Sequence, residues 1–157
     1  MTYKGSLITN YIIDLITDNK ASLIQGGIDA IYYGDQRIIG AAKVVCVEPT
    51  SKTRDTAGTG FHMQTSFETS IIVYVTSGQG VEDVQLSADQ LTEAIEDLVN
   101  KKATPSSFGL NGDQLGGLIT QGWVSSTEHG YRIPSSQLTR ANRLLFTGIS
   151  REPIFVA

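Results

Sequence analysis

The chain predicts an α+β fold, a mainly antiparallel sheet with two helices packed on one face, in the order α-β-β-β-α-β-β. Three features carry that prediction. From Phe61 onward the odd positions read Phe61, Met63, Thr65, Phe67, Thr69, Ile71, Val73 and Val75, while His62, Gln64, Ser66, Glu68 and Ser70 alternate with them. Strict period two marks a half-buried strand. Two other segments place apolar residues at i, i+3, i+4, i+7 and i+8, the stripe of an amphipathic helix. Finally, the helices interrupt a run of strands, which argues for helices packed on one face of the sheet.

Ser6, followed by Ile8, Tyr11, Ile12, Leu15 and Ile16, reads as a cap and a first helix ending near Asn19 and Lys20. Its many β-branched residues weaken intrinsic propensity, so packing must hold it. Gln25-Gly26-Gly27 breaks the chain, and residues 28–33 form a first strand ending at the Gly34-Asp35 turn. Residues 42–48 form the second strand, with Pro49 expected to stop it because proline cannot donate to a ladder.

Residues 50–60 contain no large apolar side chain and are expected to be a mobile loop, since they bury too little to offset their ordering entropy. The long strand follows. At about fifteen residues it far exceeds the usual strand of roughly 5–6, and such an overhang points to assembly. The second helix carries Leu91, Ala94, Ile95, Leu98 and Val99. Ser87 and Gln90 fit a capping box, while Glu82 and Asp83 allow an earlier start. Residues 103–113 form a linker. Residues 118–125 and 138–149 read as the closing strands, joined by a loop carrying Glu128, His129 and Pro134.

With 157 residues, one domain over 1–157 is expected, large enough to be stable without disulfides. The single cysteine, Cys46, sits between valines and reads as a small buried hydrophobe. The absence of a disulfide framework and of an apolar leader near Met1 argues for synthesis in a reducing compartment. Apolar runs fall well short of the roughly 20 residues that span a bilayer, so no membrane is expected. Net charge is −4, but it is segregated. Residues 81–100 hold Glu82, Asp83, Asp89, Glu93, Glu96 and Asp97 with no basic residue, whereas the C-terminal part holds Arg132, Arg140, Arg143 and Arg151 against Glu128 and Glu152. Two readings stay open: an exposed acidic helix face, or charge complementarity between neighbouring copies. Nothing forms a basic stripe suited to duplex DNA.

The same residues offer little for chemistry. His62 and His129 stand apart, and no HxxxH, CxxC or clustered carboxylate spacing supports a metal site. Gly78-Gln79-Gly80 lacks the remaining features of a phosphate loop. Ser125-Ser126 near His129 lacks a nucleophile elbow. Asp35 is expected to shape the turn after Gly34, with Glu48 a solvated strand end. No catalytic residue and no cofactor is expected, and His62, His129, Cys46 and Ser126 are read as non-catalytic. Trp123 and one of Tyr32 and Tyr33 are expected in the core, the other tyrosine serving as an interface anchor. The overhang and the charge segregation nominate Lys52, Arg54, Asp55, Phe61, Met63, Glu93, Arg140 and Arg143 for contacts with a neighbouring subunit or a tube. Arg140 and Arg143 differ in strand parity, so only one of them can face such a partner.

In its order of elements the chain resembles the tail terminator (tail completion) proteins of long-tailed bacteriophages. The resemblance runs through Ile31-Tyr32-Tyr33-Gly34-Asp35, then Ala42-Lys43-Val44-Val45-Cys46-Val47-Glu48-Pro49, the long strand, the acidic helix and the closing strands with Arg140 and Arg143. It implies a subunit of a ring, commonly a hexamer, at the head–tail junction of a virion made in the host cytoplasm. Such a ring caps the tail-tube protein, meets a head-completion or neck protein, and lets DNA pass its lumen without specific binding. An acidic helix facing that lumen would keep DNA from sticking. The alternatives are a neck or connector protein, a tail-tube subunit, or, from another class, a small-molecule-binding domain or enzyme with the polar loop as its lid.

Overall fold

A computed structural model describes residues 4–24, 27–35, 42–56, 62–76, 81–103, 119–131 and 139–153. The elements are α1 (Lys4–Leu23), β1 (Ala30–Tyr33), β2 (Lys43–Thr56), β3 (His62–Thr76), α2 (Val81–Ala103), β4 (Gln121–Tyr131) and β5 (Thr139–Pro153). Their order is the predicted one. The sheet runs β1-β2-β3-β5-β4, and only the β1–β2 pair is parallel. Both helices pack on the same sheet face.

Residue alternation decides that face. Phe67, Ile71, Val73 and Val75 of β3, Val45 and Val47 of β2, and Leu144 and Phe146 of β5 all bury against the helices. From α1 come Ile8, Ile12 and Ile16, and from α2 Ala88, Leu91, Ile95, Val99 and Ala103. Each large aliphatic or aromatic side chain removed from water stabilises the fold by about 1.5–3 kcal/mol. Room for the Phe146 ring comes from Gly122 and Gly148, register partners on this face. A Cβ at Gly122 would stand 2.6 Å from Phe146 Cζ. On the other sheet face Val44, Cys46 and Tyr74 form a smaller buried cluster, so Cys46 is the buried hydrophobe expected.

Some boundaries differ from the sequence reading. Ser6 lies inside α1 and bonds Tyr33 at 2.9 Å, so it is no cap. The second helix takes the earlier of its two possible starts, at Val81. β2 does not stop at Pro49. Lys43 O accepts from Asp29 N and Val47 O from Gly34 N, so odd residues of β2 turn their backbone toward β1. Pro49 shares that parity, and β1 pairs only as far as Val47. The missing N–H of Pro49 therefore falls on an edge where no ladder bond exists to lose. A bulge between Pro49 and Ser51 shifts the register, and pairing continues to Thr56 opposite Met63. Residues 50–56, read from sequence as the first seven residues of a mobile polar loop over 50–60, are strand, and residues 57–60 lie outside the described residues.

β4 likewise extends beyond the predicted segment. Glu128 and His129, assigned to a loop, are ladder residues opposite Arg143 and Asn142. Trp123 and both tyrosines also correct the expectation. Trp123 is 41% exposed, Tyr32 41% and Tyr33 46%, so none of the three is core. The Trp123 partner is Thr147, which shares a sheet face with Arg143 and not with the helices. No helix among the described residues is long and apolar enough to cross a membrane.

Candidate functional site

Two regions gather the polar side chains nominated from sequence, and they lie at opposite edges of the sheet. The first is an overhang. β1 pairs β2 no further than Val47, and the β4 ladder on β5 begins at Gln121 opposite Ile149. Beyond those points β2, β3 and β5 continue as three strands, with Thr65 pairing both Arg54 and Ser150. The long strand thus projects together with two partners, which satisfy its backbone.

On this overhang Lys52 pairs Phe67 and Arg54 pairs Thr65, both on the helix-side face, and both basic residues are exposed. Lys52 Nζ lies 5.6 Å from the centroid of the Phe67 ring, a cation–π distance. Asp55 pairs Gln64, and Met63 pairs Thr56 and Glu152. Phe61 lies outside the described residues. On the opposite face Ser51 donates to Glu68 Oε2 at 2.8 Å.

The second region is a cavity of about 280 Å³ between α2 and the edge strand β4, lined by Asp89, Thr92, Glu93, Glu96, Thr127 and His129. Asp89 Oδ1 organises it. That oxygen accepts from Asn142 Nδ2 at 2.8 Å and from Arg140 Nη2 at 3.5 Å, and His129 Nδ1 stands 3.2 Å away. Asn142 also donates to Thr92 at 3.0 Å, while Thr92 donates back to Ala88 O at 2.7 Å. Arg140 lies over the Tyr131 ring, 4.9 Å from its centroid. Two buried atoms of this network, Asn142 Oδ1 and Arg140 Nε, have no partner within the described chain. Glu93 is exposed and Glu96 half-buried.

The two nominated arginines part company as their parity requires. Arg140 is 7% exposed and engaged by Asp89 on α2 of its own chain. Arg143 is exposed on the face away from the helices, its Nε and Nη2 reaching Ser70 Oγ at 3.0 and 2.8 Å. Ser126 shares that outer face, opposite Leu145, whereas His129 faces α2, so the two do not form a nucleophile–base pair. Asp35 and Glu48 meet at the turn: Glu48 Oε2 accepts from the Asp35 amide at 3.2 Å, and Tyr74 donates to Asp35 at 2.7 Å. Gly34 takes φ 84° there, which a glycine tolerates best. Among the described residues no group of three or more His, Cys, Asp or Glu is arranged to hold a metal ion.

Sequence reasoning passed over Asn142, Thr92 and Tyr131. Asn142 had left a trace, since it shares the parity of Leu144 and Phe146 and an inward amide needs a buried partner.

No protein-family model matches the chain, and no curated protein does. Among solved structures it is similar to a chain in the virion of a native gene transfer agent (GTA) particle. The TM-score is 0.60 at 14% identity, covering 90% of this chain and 92% of that one. The two share a fold over nearly their whole lengths.

Proposed function

We propose that this chain is a structural virion protein of the tail terminator kind. It forms a closed ring at the head-proximal end of a phage-type tail, stops the tube from lengthening, and offers the surface on which the head docks. The observation that carries the reading is the fold shared end to end with a chain of a gene transfer agent virion. The three-stranded overhang supports it, because strands that outrun both sheet edges are suited to contacts outside the subunit. Two helices and the order of motifs favour a terminator over a tube subunit. On this reading the ring is a hexamer, with the tube protein on one side, a neck protein on the other, and DNA passing without specific contacts. The protein acts without catalysis or cofactor.

Sedimentation velocity and negative-stain imaging, with and without assembled tails, test it. Rings that cap one tail end are expected. Long tubes formed by the chain alone would make it a tube subunit. A monomer that leaves tails uncapped would overturn the reading.

A further inference from the structure

We propose that neighbouring copies lock head to tail by seating Lys52 and Arg54 of one overhang in the acidic cavity between α2 and β4 of the next. The proposal rests on the ring reading and names the contact that closes the ring. The cavity walls carry Asp89, Glu93 and Glu96. Asp89 is already engaged by Asn142 and Arg140 of its own chain, which leaves Glu93 and Glu96 as the charge offered outward. Behind the walls, the fully buried amide of Asn142 donates to Asp89 and Thr92 and so holds both in place. Lysine and arginine bring positive charge and hydrogen-bond donors but no acceptors, so the acidic walls select that kind of guest.

Lys52 and Arg54 lie too far from this cavity to enter it within their own subunit. Arg54 lies level with Ser150 of β5, through Thr65, whereas His129 lies level with Asn142. Eight residues along β5 correspond to about 26 Å, and the three strand spacings from β2 to β4 add about 14 Å sideways. Basic overhang and acidic cavity therefore sit at opposite edges of one subunit, which is the arrangement a heterologous, closing contact needs. Because the offset runs mostly along the strands, a flat ring built this way has its strands oblique to the ring axis.

Charge exchange tests the contact. Lys52→Glu/Arg54→Glu makes overhang and cavity both acidic, and Glu93→Lys/Glu96→Lys makes both basic. Each variant alone should assemble at least ~10-fold more weakly than wild type. An equimolar mixture should recover rings, because alternating copies restore opposite charges at every junction. If each variant assembles as wild type does, or the mixture stays monomeric while circular dichroism shows both folded, the contact lies elsewhere and the inference fails, with the ring reading intact. Should a charge variant not fold, Arg54→Cys/Glu93→Cys replaces it. Oxidised rings should then crosslink between copies, and folded protein that never crosslinks would equally overturn the inference. Wild type that remains monomeric with and without tails overturns the ring reading itself.

Discussion

Asn142 of β5 donates a 2.8 Å hydrogen bond to Asp89 of α2, tying the acidic helix to the sheet through a fully buried amide. The same nitrogen reaches Thr92 one turn away. Both contacts are donations, so the amide orientation is determined: the reverse one would aim Oδ1 at a carboxylate. Together with Arg140, this arrangement fixes the acidic helix over β5 by paired polar groups as well as by Leu91 and Ile95.

Asn142→Asp should be the most damaging conservative change in this network. It replaces a donor with a second, fully buried carboxylate beside Asp89, and an uncompensated buried charge typically costs about 3–5 kcal/mol. Asn142→Ala removes bonds to a charged group worth about 1.5–3 kcal/mol. Urea unfolding should therefore rank wild type above Ala above Asp. An Asp variant as stable as wild type would show that the Asp89 contact carries no weight.

Gly122→Ala should destabilise through crowding. The new methyl would meet Phe146 Cζ at 2.6 Å and Ile119 Cδ1 at 2.8 Å, and overpacking of this kind costs about 1–3 kcal/mol. Combining it with Phe146→Leu should recover part of the loss in thermal melts, since the ring is what the methyl strikes. Strict additivity of the two changes would argue against that contact.

Arg140 and Arg143 should separate stability from surface effects. Arg140→Ala removes a buried side chain from both Asp89 and the Tyr131 ring. Asp89 is partly exposed and screened, so the expected cost is about 1–3 kcal/mol rather than that of a fully buried pair. Arg143→Ala, on the outer face, should stay within about 0.5 kcal/mol. Equal losses in the two denaturation curves would contradict the opposite placement of these side chains.

Replacing residues 53–64 with a short Gly-Ser link should leave a folded domain, because the two helices and the core from Phe67 to Val75 lie outside the deletion. The shortened protein should keep its far-ultraviolet dichroism and cooperative melting yet fail to cap tails. Normal capping by the shortened protein would mean that the overhang is dispensable for assembly.

Strand parity was written in the sequence. The facing of Phe67, Ile71, Val73 and Val75, and the divergence of Arg140 from Arg143, follow from a backbone that alternates sides at every residue. The helical stripes of Ile8, Ile12 and Ile16 and of Leu91, Ile95 and Val99 were legible for the same local reason, and with them the order α-β-β-β-α-β-β. The fifteen-residue length of β3 was legible from its alternation, but the lengths of β2 and β4 were not. Residues 50–56 and 126–131 carry few apolar side chains, so nothing local marks them as β, and they become strand because β3 and β5 run alongside with unpaired backbone to satisfy. Pro49 could pass inside a strand only because β1 ends where it does. The acidic cavity belongs to the tertiary structure as well: Asp89, His129 and Asn142 lie far apart in the chain, and only the packing of α2 across β5 and β4 brings them to one oxygen. Local periodicity selects which face a side chain takes, while the partner it meets there is settled by how distant segments pair and pack.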